Sequence, residues 1–271
     1  MLDPMQTVLT IAGFDPSSGA GVTADLMVFA AHGLFGTACI AGLTVQSTMG
    51  VRSSTPVEAE IVHDTLDCLQ SDLPLAGIKI GMLATAANVA MVADFLEMLR
   101  DEKRRVPVVL DPVVRSSSGK ELLDKEGVAV LRERLLPVVD WVTPNLEELG
   151  VLTGLCVRDR KDMLEAGRVL RAMGEELNVL VTGGHLDPPD DLLVPILGEV
   201  VWLPGEKIVS QSTHGTGCAF SSALLSRLVL GDAAKDAARM AKMYVVEAIR
   251  TAEMVGHGTG PVNHLWPLKE D

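Results

Sequence analysis

Short apolar runs alternate with longer amphipathic segments along most of the 271-residue chain. The apolar runs are rich in Val, Ile and Leu and predict buried strands. These strands are expected at 7–13, 36–46, 77–82, 106–112, 140–145 and 178–184. The segments between them place apolar residues at a period of about 3.6 and predict helices. These helices are expected at 24–33, 58–70, 86–100, 127–136 and 162–174.

Strand–helix alternation is typical of a mostly parallel sheet with helices on both faces. The pattern changes after residue 184, where residues 191–210 predict antiparallel edge strands with a turn at Gly198. Two more helices are expected, at 216–230 and 232–254. No linker, repeat or low-complexity tract interrupts the chain, so a single domain over 1–271 is expected. The predicted fold class is α/β, with a mostly parallel central sheet and a small antiparallel extension at one edge.

The composition narrows the classes of function. Hydrophobic residues make up 48% of the chain and aromatic ones only 3%, as in an aliphatic core between sheet and helices. The formal net charge of −13 argues against nucleic-acid and membrane-surface partners, which need a basic face. Any anionic ligand must therefore be held by local donors. The four cysteines form no zinc-binding spacing, and no apolar run is as long as a membrane span, so a cytoplasmic protein is expected.

Polar residues and glycines follow the predicted strands, at the edge where parallel sheets bind ligands. In chain order they are Gly13 with Asp15, Gln46, Gly81, Asp111, Asn145, and Gly183 with Gly184. Any one of them could mark only a turn, but their recurrence after six strands favours a ligand cleft. The amide of Gln46 suits a heterocycle with an amine beside a ring nitrogen, although a glutamine at a strand end also often faces water.

Two nucleotide motifs are excluded. The loop after the first strand contains G-A-G-x-x-A at Gly19, Gly21 and Ala24, which resembles a dinucleotide-binding fingerprint. That fingerprint needs an acidic residue at the end of the second strand, where this chain has Gln46. A P-loop is also absent, because the Gly-Lys pair at 119–120 lacks the upstream glycine and the Ser/Thr.

Hard oxygen ligands follow two neighbouring predicted strands. They are Asp111 and the N-x-x-E formed by Asn145 and Glu148. Magnesium commonly binds one or two carboxylates together with substrate phosphates, so these residues fit a magnesium site. The same N-x-x-E also fits a helix start, with Asn145 as N-cap and Glu148 at the capping-box position.

The turn at Gly215, Thr216, Gly217 and Cys218 precedes an apolar helix. The first amides of a helix are unpaired and carry about half a positive charge, so an anion can bind there without a basic patch. A thiol at such a position is expected to have a lowered pKa, which makes a thiolate available near neutral pH. The alternative is an inert, packed cysteine.

These motifs together resemble the bacterial hydroxymethylpyrimidine/phosphomethylpyrimidine kinases, the thiamine-pathway members of the ribokinase superfamily. The resemblance covers almost the whole chain and follows seven motifs in family order. They are TIAGFDPSSGAGVTADL, KIGML, VVLDPV, TPNLEE, GGHL, THGTGC and VGHGTGPVNH. It implies a ribokinase-like fold and ATP-dependent phosphorylation of 4-amino-5-hydroxymethyl-2-methylpyrimidine, and then of its monophosphate. Members of the family often dimerise, so a homodimer is the assembly that it implies.

The resemblance also implies roles for individual residues. Gln46 would pair with the pyrimidine edge, and Asp25 would reach the 4-amino group. The ring pocket would be lined by Ala20, Met82 and Val113. The metal ligands would be Asp111 and Glu148, acting through Mg²⁺, with Asn145 beside the ATP phosphates. The amides of 215–217 would form an anion hole, and Cys218, where most ribokinase relatives have aspartate, would be the catalytic base.

Two positions concern the charge around the ATP phosphates. Lys242 matches a family lysine that approaches them. Thr182 stands where the family often has a lysine, so Lys242 or magnesium is expected to neutralise more of the phosphate charge here. Two other functions stay open: a pyridoxal kinase of the same superfamily, whose substrate is also a ring alcohol, and a noncatalytic small-molecule sensor on the same fold.

Overall fold

The computed structural model describes residues 5–101, 105–116 and 118–268. Within these ranges, nine strands form one sheet in the order β3-β2-β1-β4-β5-β6-β7-β8-β9. The strands are β1 (Thr7–Phe14), β2 (Phe35–Ser47), β3 (Gly50–Pro56), β4 (Leu75–Ile80), β5 (Val108–Leu110), β6 (Trp141–Val142), β7 (Asn178–Val181), β8 (Asp191–Val194) and β9 (Val201–Leu203). The helices are α1 (Gly21–Ala31), α2 (Ala59–Asp72), α3 (Ala86–Asp101), α4 (Lys125–Val130), α5 (Leu146–Thr153), α6 (Arg160–Arg171), α7 (Thr216–Val229) and α8 (Ala234–Arg250).

The six neighbouring strands from β2 to β7 pair in parallel. Antiparallel strands extend the sheet at both ends, with β3 on β2 and β8 and β9 beyond β7. The strand β1 lies between β2 and β4, so the chain changes direction across the sheet there. Ligands of open parallel sheets bind at such a switch point, beyond the carboxyl ends of the strands.

The core lies on both faces of the sheet, and alternate residues of each strand point to opposite faces. On β5, Val108 and Leu110 pack in the cluster formed with α2, α3 and α6, while Val109 packs with α1, α7 and α8. Leu180 of β7 likewise packs with α7 and α8. Burial on both faces explains why these strands have continuous apolar sequences.

The predicted α/β class is confirmed, with differences at particular elements. The strand β3 was not predicted, because its sequence is polar and its side chains are mostly exposed. The edge strands predicted at 191–210 form only 191–194 and 201–203, with Gly198 at a φ of +99° between them. The helix predicted at 127–136 begins at Lys125, and continues after α4 as a π-helix and a 3₁₀-helix to Val138. In the described part of the chain, no helix is both long and apolar enough to span a membrane.

Candidate active site

The loop after β1 is organised by the carboxylate of Asp15. Its Oδ1 accepts hydrogen bonds from the amide and hydroxyl of Ser17, at 2.9 and 2.6 Å, and its Oδ2 accepts one from the amide of Ala20 at 3.0 Å. The helix α1 then begins at Gly21 with a φ of +62°. A Cβ at Gly21 would lie 2.2 Å from the carbonyl oxygen of Gly13, so only glycine fits this turn.

The N-terminus of α7 lies against this loop. Gly215 is its N-cap, with a φ of +85°, and provides no side-chain cap. A Cβ at Gly215 would lie 1.8 Å from the carbonyl oxygen of Gly19, so the glycine brings this turn against the loop after β1. The first turn of α7 contains Thr216, Gly217 and Cys218. Gly217 is exposed, so the backbone here is accessible to a ligand.

Cys218 lies in the first turn of α7, and its thiol is near the carboxylate of Asp111 and the amide of Gly21. Burial raises the pKa of the Cys218 thiol to about 12, although the nearby Lys79 opposes this shift, and the charges of Asp111 and Asp25 raise the pKa further. The prediction of a lowered pKa is therefore wrong for this structure, because burial and two carboxylates outweigh the helix N-terminus and the lysine.

A buried ion pair lies beneath the site. Lys79 Nζ is 3.0 Å from Asp25 Oδ2 and 3.9 Å from Asp111 Oδ2, and the Lys79 side chain is completely buried. Burial alone would lower the pKa of Lys79, but the charges of Asp25, Cys218 and Asp111 and the hydrogen bond to Asp25 together outweigh burial and raise the pKa above its usual range. Asp25 also accepts hydrogen bonds from Thr10 at 2.6 Å and from Ser222 at 2.8 Å.

This network accounts for Asp25 without a ligand. The residue is 0% exposed, and both carboxylate oxygens accept hydrogen bonds inside the protein. Its position does not fit the expected contact with a substrate amine. Asp25 instead anchors Lys79 and α7, and Lys79 is a site residue that the sequence pattern did not reveal. The local sequence around a lysine in an apolar strand does not indicate which residue pairs with it.

Asp111 follows β5 directly, and Glu148 lies in the first turn of α5. Burial raises the pKa of Asp111, and Lys79 only partly offsets this effect. Burial, followed by the charge of Asp111, raises the pKa of Glu148 well above its usual value. The charge of Asp111 thus disfavours the charge of Glu148, and the charge of Asp25 disfavours that of Asp111. A cation relieves such an environment.

The helix-start interpretation of N-x-x-E is confirmed. Asn145 Oδ1 accepts from the amide of Glu148, and Glu148 Oε2 accepts from the amide of Asn145, each at 2.9 Å. This capping box begins α5 and holds both side chains at the sheet edge. The cap uses Oε2 of Glu148, and Oε1 takes no part in this hydrogen bond.

The residues expected around the ring lie on three strand ends. Met82 follows β4, and a Cβ at Gly13 would lie 2.7 Å from its sulfur, so Met82 packs closely over the end of β1. Val113 follows Asp111 directly after β5 and is partly exposed, as are Ala20 and Gln46. The amide nitrogen of Gln46 lies 3.0 Å from Nε2 of His214, which precedes Gly215. The candidate ring contact and the α7 turn are therefore adjacent.

The residues expected near ATP lie farther along the same edge. Thr182 forms a bridge with Asn145, and its amide donates to Pro144 at 2.9 Å. The next amide, that of Gly183, donates to Asp191 Oδ1 at 2.9 Å. Lys242 Nζ is 2.8 Å from Asp191 Oδ2. The structure thus connects Lys242 to the Thr182 turn through Asp191, and its charge is already paired with a carboxylate.

The C-terminal tail after α8 contacts both turns of the site, a role that the sequence did not indicate. The His214 amide donates to Gly260 and the Val262 amide donates to His214. His264 is buried, and its Nε2 lies 2.9 Å from the carbonyl oxygen of Gly19. The hydroxyl of Tyr244 donates to the His264 carbonyl. The tail therefore holds the two turns that approach each other at Gly19.

No group of three or more His, Cys, Asp or Glu side chains that could hold a metal ion occurs in residues 5–101, 105–116 and 118–268. A cation at Asp111 and Glu148 would therefore depend on ligands from water or substrate for the rest of its coordination. Magnesium suits such a site, because it keeps several waters and binds phosphate oxygens.

Comparison with known proteins decides the family. The family model described as phosphomethylpyrimidine kinase matches residues 15–263. The chain belongs to the phosphomethylpyrimidine kinase family. It is 42% identical to the hydroxymethylpyrimidine/phosphomethylpyrimidine kinase of Escherichia coli, with 95% of this chain and 96% of that protein covered.

A second relative is longer than this chain. The chain is 41% identical over 263 residues to the thiamine biosynthesis bifunctional protein ThiED of Geobacter sulfurreducens. The match covers 97% of this chain but only 53% of that protein, so the chain spans about half of the bifunctional relative.

Solved structures support the fold of this phosphomethylpyrimidine kinase family member. The ADP complex of Bacillus subtilis pyridoxal kinase has a TM-score of 0.86 at 29% identity, covering 98% of this chain and 100% of that one. The phosphomethylpyrimidine kinase of Clostridium difficile 630 has a TM-score of 0.78 at 32% identity, covering 90% and 99%. The expected ribokinase-like α/β fold is confirmed by these likenesses.

Proposed function

We propose that this protein transfers phosphate from ATP to 4-amino-5-hydroxymethyl-2-methylpyrimidine, and then to the resulting monophosphate. The observation that carries the proposal is the junction at His214, where the partly exposed amide of Gln46 meets the N-terminal turn of α7. A ring held by Gln46 would place its hydroxymethyl group near that turn. The family, with relatives named hydroxymethylpyrimidine/phosphomethylpyrimidine kinase, supports this substrate.

The transferred phosphate is proposed to bind the amides of 215–217 at the mouth of α7. The positive end of the helix dipole and the first-turn amides stabilise negative charge there. The amide of Thr216 also donates a long hydrogen bond, of 3.4 Å, to the carbonyl of Thr213. This arrangement meets the need set by the net charge of −13, which leaves no general attraction for a nucleotide. One donor in such an anion hole is worth roughly 10²–10³ in rate.

Asp111 and Glu148 fit a magnesium ion that accompanies ATP. Both carboxyl groups are buried and both have raised pKa values. The charge of Asp25 disfavours ionisation of Asp111, and the charge of Asp111 disfavours ionisation of Glu148. Bound Mg²⁺ would neutralise phosphate charge at these residues. The capping box holds Glu148 in position, and Lys79 provides a buried positive charge beside Asp111.

Cys218 is proposed as the group that accepts the hydroxyl proton. The proposal depends on its position, since the thiol lies at the start of α7 beside Asp111 and beneath the Gly21 amide. Only the thiolate of Cys218 can accept this proton, and its raised pKa makes the thiolate a small fraction of the resting protein at neutral pH. A small fraction suffices in this proposal, because phosphoryl transfer commonly has a loose transition state in which proton removal contributes less than positioning and charge neutralisation.

The nucleotide is proposed to lie along Asn145, Thr182 and Gly217, with Lys242 nearby. The bridge between Asn145 and Thr182 and the contact of Lys242 with Asp191 support this assignment. The ADP complex of the similar Bacillus subtilis pyridoxal kinase supports an adenine nucleotide as the phosphate donor.

Pyridoxal phosphorylation is the second candidate, favoured by the TM-score of 0.86 to that pyridoxal kinase. The test incubates the purified protein with Mg²⁺-ATP and each ring alcohol in turn and measures the ADP released. We expect kcat/KM for the aminopyrimidine alcohol to exceed that for pyridoxal. A preference for pyridoxal would favour the second candidate, and binding of either ring without ADP release would indicate a sensor.

A further inference from the structure

One imidazole nitrogen connects a loop carboxylate to the candidate ring contact. His214 Nε2 is 2.7 Å from Asp15 Oδ2 and 3.0 Å from Gln46 Nε2. The other end of the Gln46 amide is 3.2 Å from Thr44 Oγ1, and that hydroxyl also donates to the carbonyl of Phe14 at 3.0 Å. These partners determine which hydrogen bonds Gln46 has left for a ligand.

The proton on His214 follows from its shorter contact. Hydrogen bonds from His214 and Ser17 outweigh burial and lower the pKa of Asp15, so its carboxylate is ionised at neutral pH. An ionised carboxylate only accepts hydrogen bonds, and a separation of 2.7 Å therefore requires a proton on Nε2. Nε2 is then a donor and cannot accept a hydrogen bond from an amide nitrogen.

The orientation of the Gln46 amide follows in turn. The two ends of a side-chain amide have nearly the same shape, so the hydrogen-bond partners decide which end faces which group. A protonated Nε2 selects the carbonyl oxygen of Gln46 as its neighbour, and its single hydrogen is then shared between this oxygen and Asp15 Oδ2 as a bifurcated hydrogen bond. Thr44 has a single hydroxyl hydrogen, which the shorter contact assigns to Phe14, and its oxygen then accepts from the Gln46 amino group.

We propose that His214 is a positioning residue for substrate selection: held by Asp15, it fixes the orientation of the Gln46 amide. This inference rests on the proposed function, in which Gln46 contacts the ring. With His214 and Thr44 occupying one side of the amide, one carbonyl lone pair and one N–H stay available as an adjacent pair. That pair matches a ring nitrogen beside an exocyclic amine in one direction only.

The imidazole ring of His214 also fills space beside the loop after β1. A test of its hydrogen bond therefore needs a variant that keeps a ring at this position. A Cβ at Gly19 would lie 2.1 Å from His214 Cδ2, so the imidazole packs directly on this glycine. His214→Phe keeps a planar ring there and removes the hydrogen bond. His214→Gln restores an N–H donor at nearly the same reach.

We expect His214→Phe to raise KM for the aminopyrimidine alcohol about 10-fold, the effect of one lost hydrogen bond, and to lower kcat less. The preference for this substrate over pyridoxal should fall, and His214→Gln should recover most of both effects. In a Gln46→Ala background, His214→Phe should change KM by less than about twofold, because the two residues act as a unit.

An equal rise in KM with and without Gln46 would overturn the proposal, because His214 would then act independently of the amide. A second measurement needs no variant to fold: nitrogen-15 NMR of the wild-type imidazole should show a proton on Nε2 of His214 at neutral pH. An unprotonated Nε2 would overturn the proposal. If Gln46→Ala alone leaves KM unchanged, the ring contact in the proposed function is wrong, whereas the proton position tests the His214 network separately.

Discussion

Asp15 shows how a single side chain prepares the site. It receives hydrogen bonds from Ser17, Ala20 and His214, and they hold the loop between β1 and α1. Because its pKa is lowered in the folded protein, its stabilisation is present above the unfolded pKa of about 3.9 and is lost as pH falls through the folded value.

Asp15→Asn tests this dependence on pH. We expect the variant to lose about 1–3 kcal/mol in the free energy of unfolding at pH 7. The difference from wild type should start to shrink near the unfolded pKa of about 4 and disappear as pH falls through the lower folded pKa, where the native wild-type carboxyl also becomes neutral. Chemical denaturation at several pH values measures it, with Asp67→Asn at an exposed position of α2 as control. A difference independent of pH would contradict the assignment.

Thr182 is the residue at which this chain departs from the expected family pattern. Thr182→Lys adds a positive charge at the turn beside Asn145, where the ATP phosphates are proposed to lie. We expect a lower KM for ATP and a weaker dependence on Mg²⁺ concentration, because the lysine shares the charge neutralisation. Thr182→Gln, of similar length without the charge, is the control. Unchanged nucleotide affinity and metal dependence in Thr182→Lys would refute this explanation.

Several site residues could be predicted because each has a sequence signal. Asp111 ends an apolar strand, the N-x-x-E of Asn145 and Glu148 marks a capping box, and Gly215 begins a glycine-rich turn. The pKa of Cys218 could not be predicted, because it depends on burial and on Asp111 and Asp25, which are distant in sequence. The role of Lys79 could not be predicted for the same reason, because its partners Asp25 and Asp111 belong to other parts of the chain.

The start of α7 depends on a glycine at its N-cap. Gly215→Ala would place a Cβ 1.8 Å from the Gly19 carbonyl oxygen, in addition to the left-handed φ of +85°. Gly231 provides a matched control, since its φ is +94° but nothing lies within 4 Å of its Cβ position.

We expect Gly231→Ala to cost about 1–2 kcal/mol of stability from backbone strain alone. Gly215→Ala should cost more, and its turnover should fall strongly because the anion-binding turn must shift. Denaturation curves and ADP release measure the two effects. If both variants lose the same stability and Gly215→Ala retains normal turnover, the turn is not the phosphate site.

The elements also show where sequence patterns suffice. The strand β1 has a continuous apolar sequence and the helix α3 has a strong apolar periodicity, and both appear close to their expected bounds. The edge strand β3 has no such pattern, since one polar strand paired at a sheet edge leaves both of its faces near solvent. Its formation depends on pairing with β2, which local sequence does not encode.

At the scale of the whole molecule, the buried ion pair joins both halves of the site. Lys79 on β4 meets Asp25 on α1, and Asp25 binds Thr10 on β1 and Ser222 on α7. A change at this centre therefore affects the two turns that meet at Gly19.

Lys79→Met should lower the free energy of unfolding by about 3–5 kcal/mol, because it leaves buried carboxylates without their cation. Adding Asp25→Asn should recover part of that loss, since the second change removes one of the uncompensated charges. Denaturant unfolding of the two single variants and the double variant measures this coupling. Additive losses would show that the ion pair does not act as a unit.

The central claim is that phosphate transfer occurs at the start of α7, with Cys218 taking the substrate proton. The most direct test is the turnover of Cys218→Ala with Mg²⁺-ATP and the aminopyrimidine alcohol. The account predicts a kcat reduced by roughly 10²–10⁴, with KM for the pyrimidine nearly unchanged. Near-normal turnover would contradict it and remove Cys218 from the reaction.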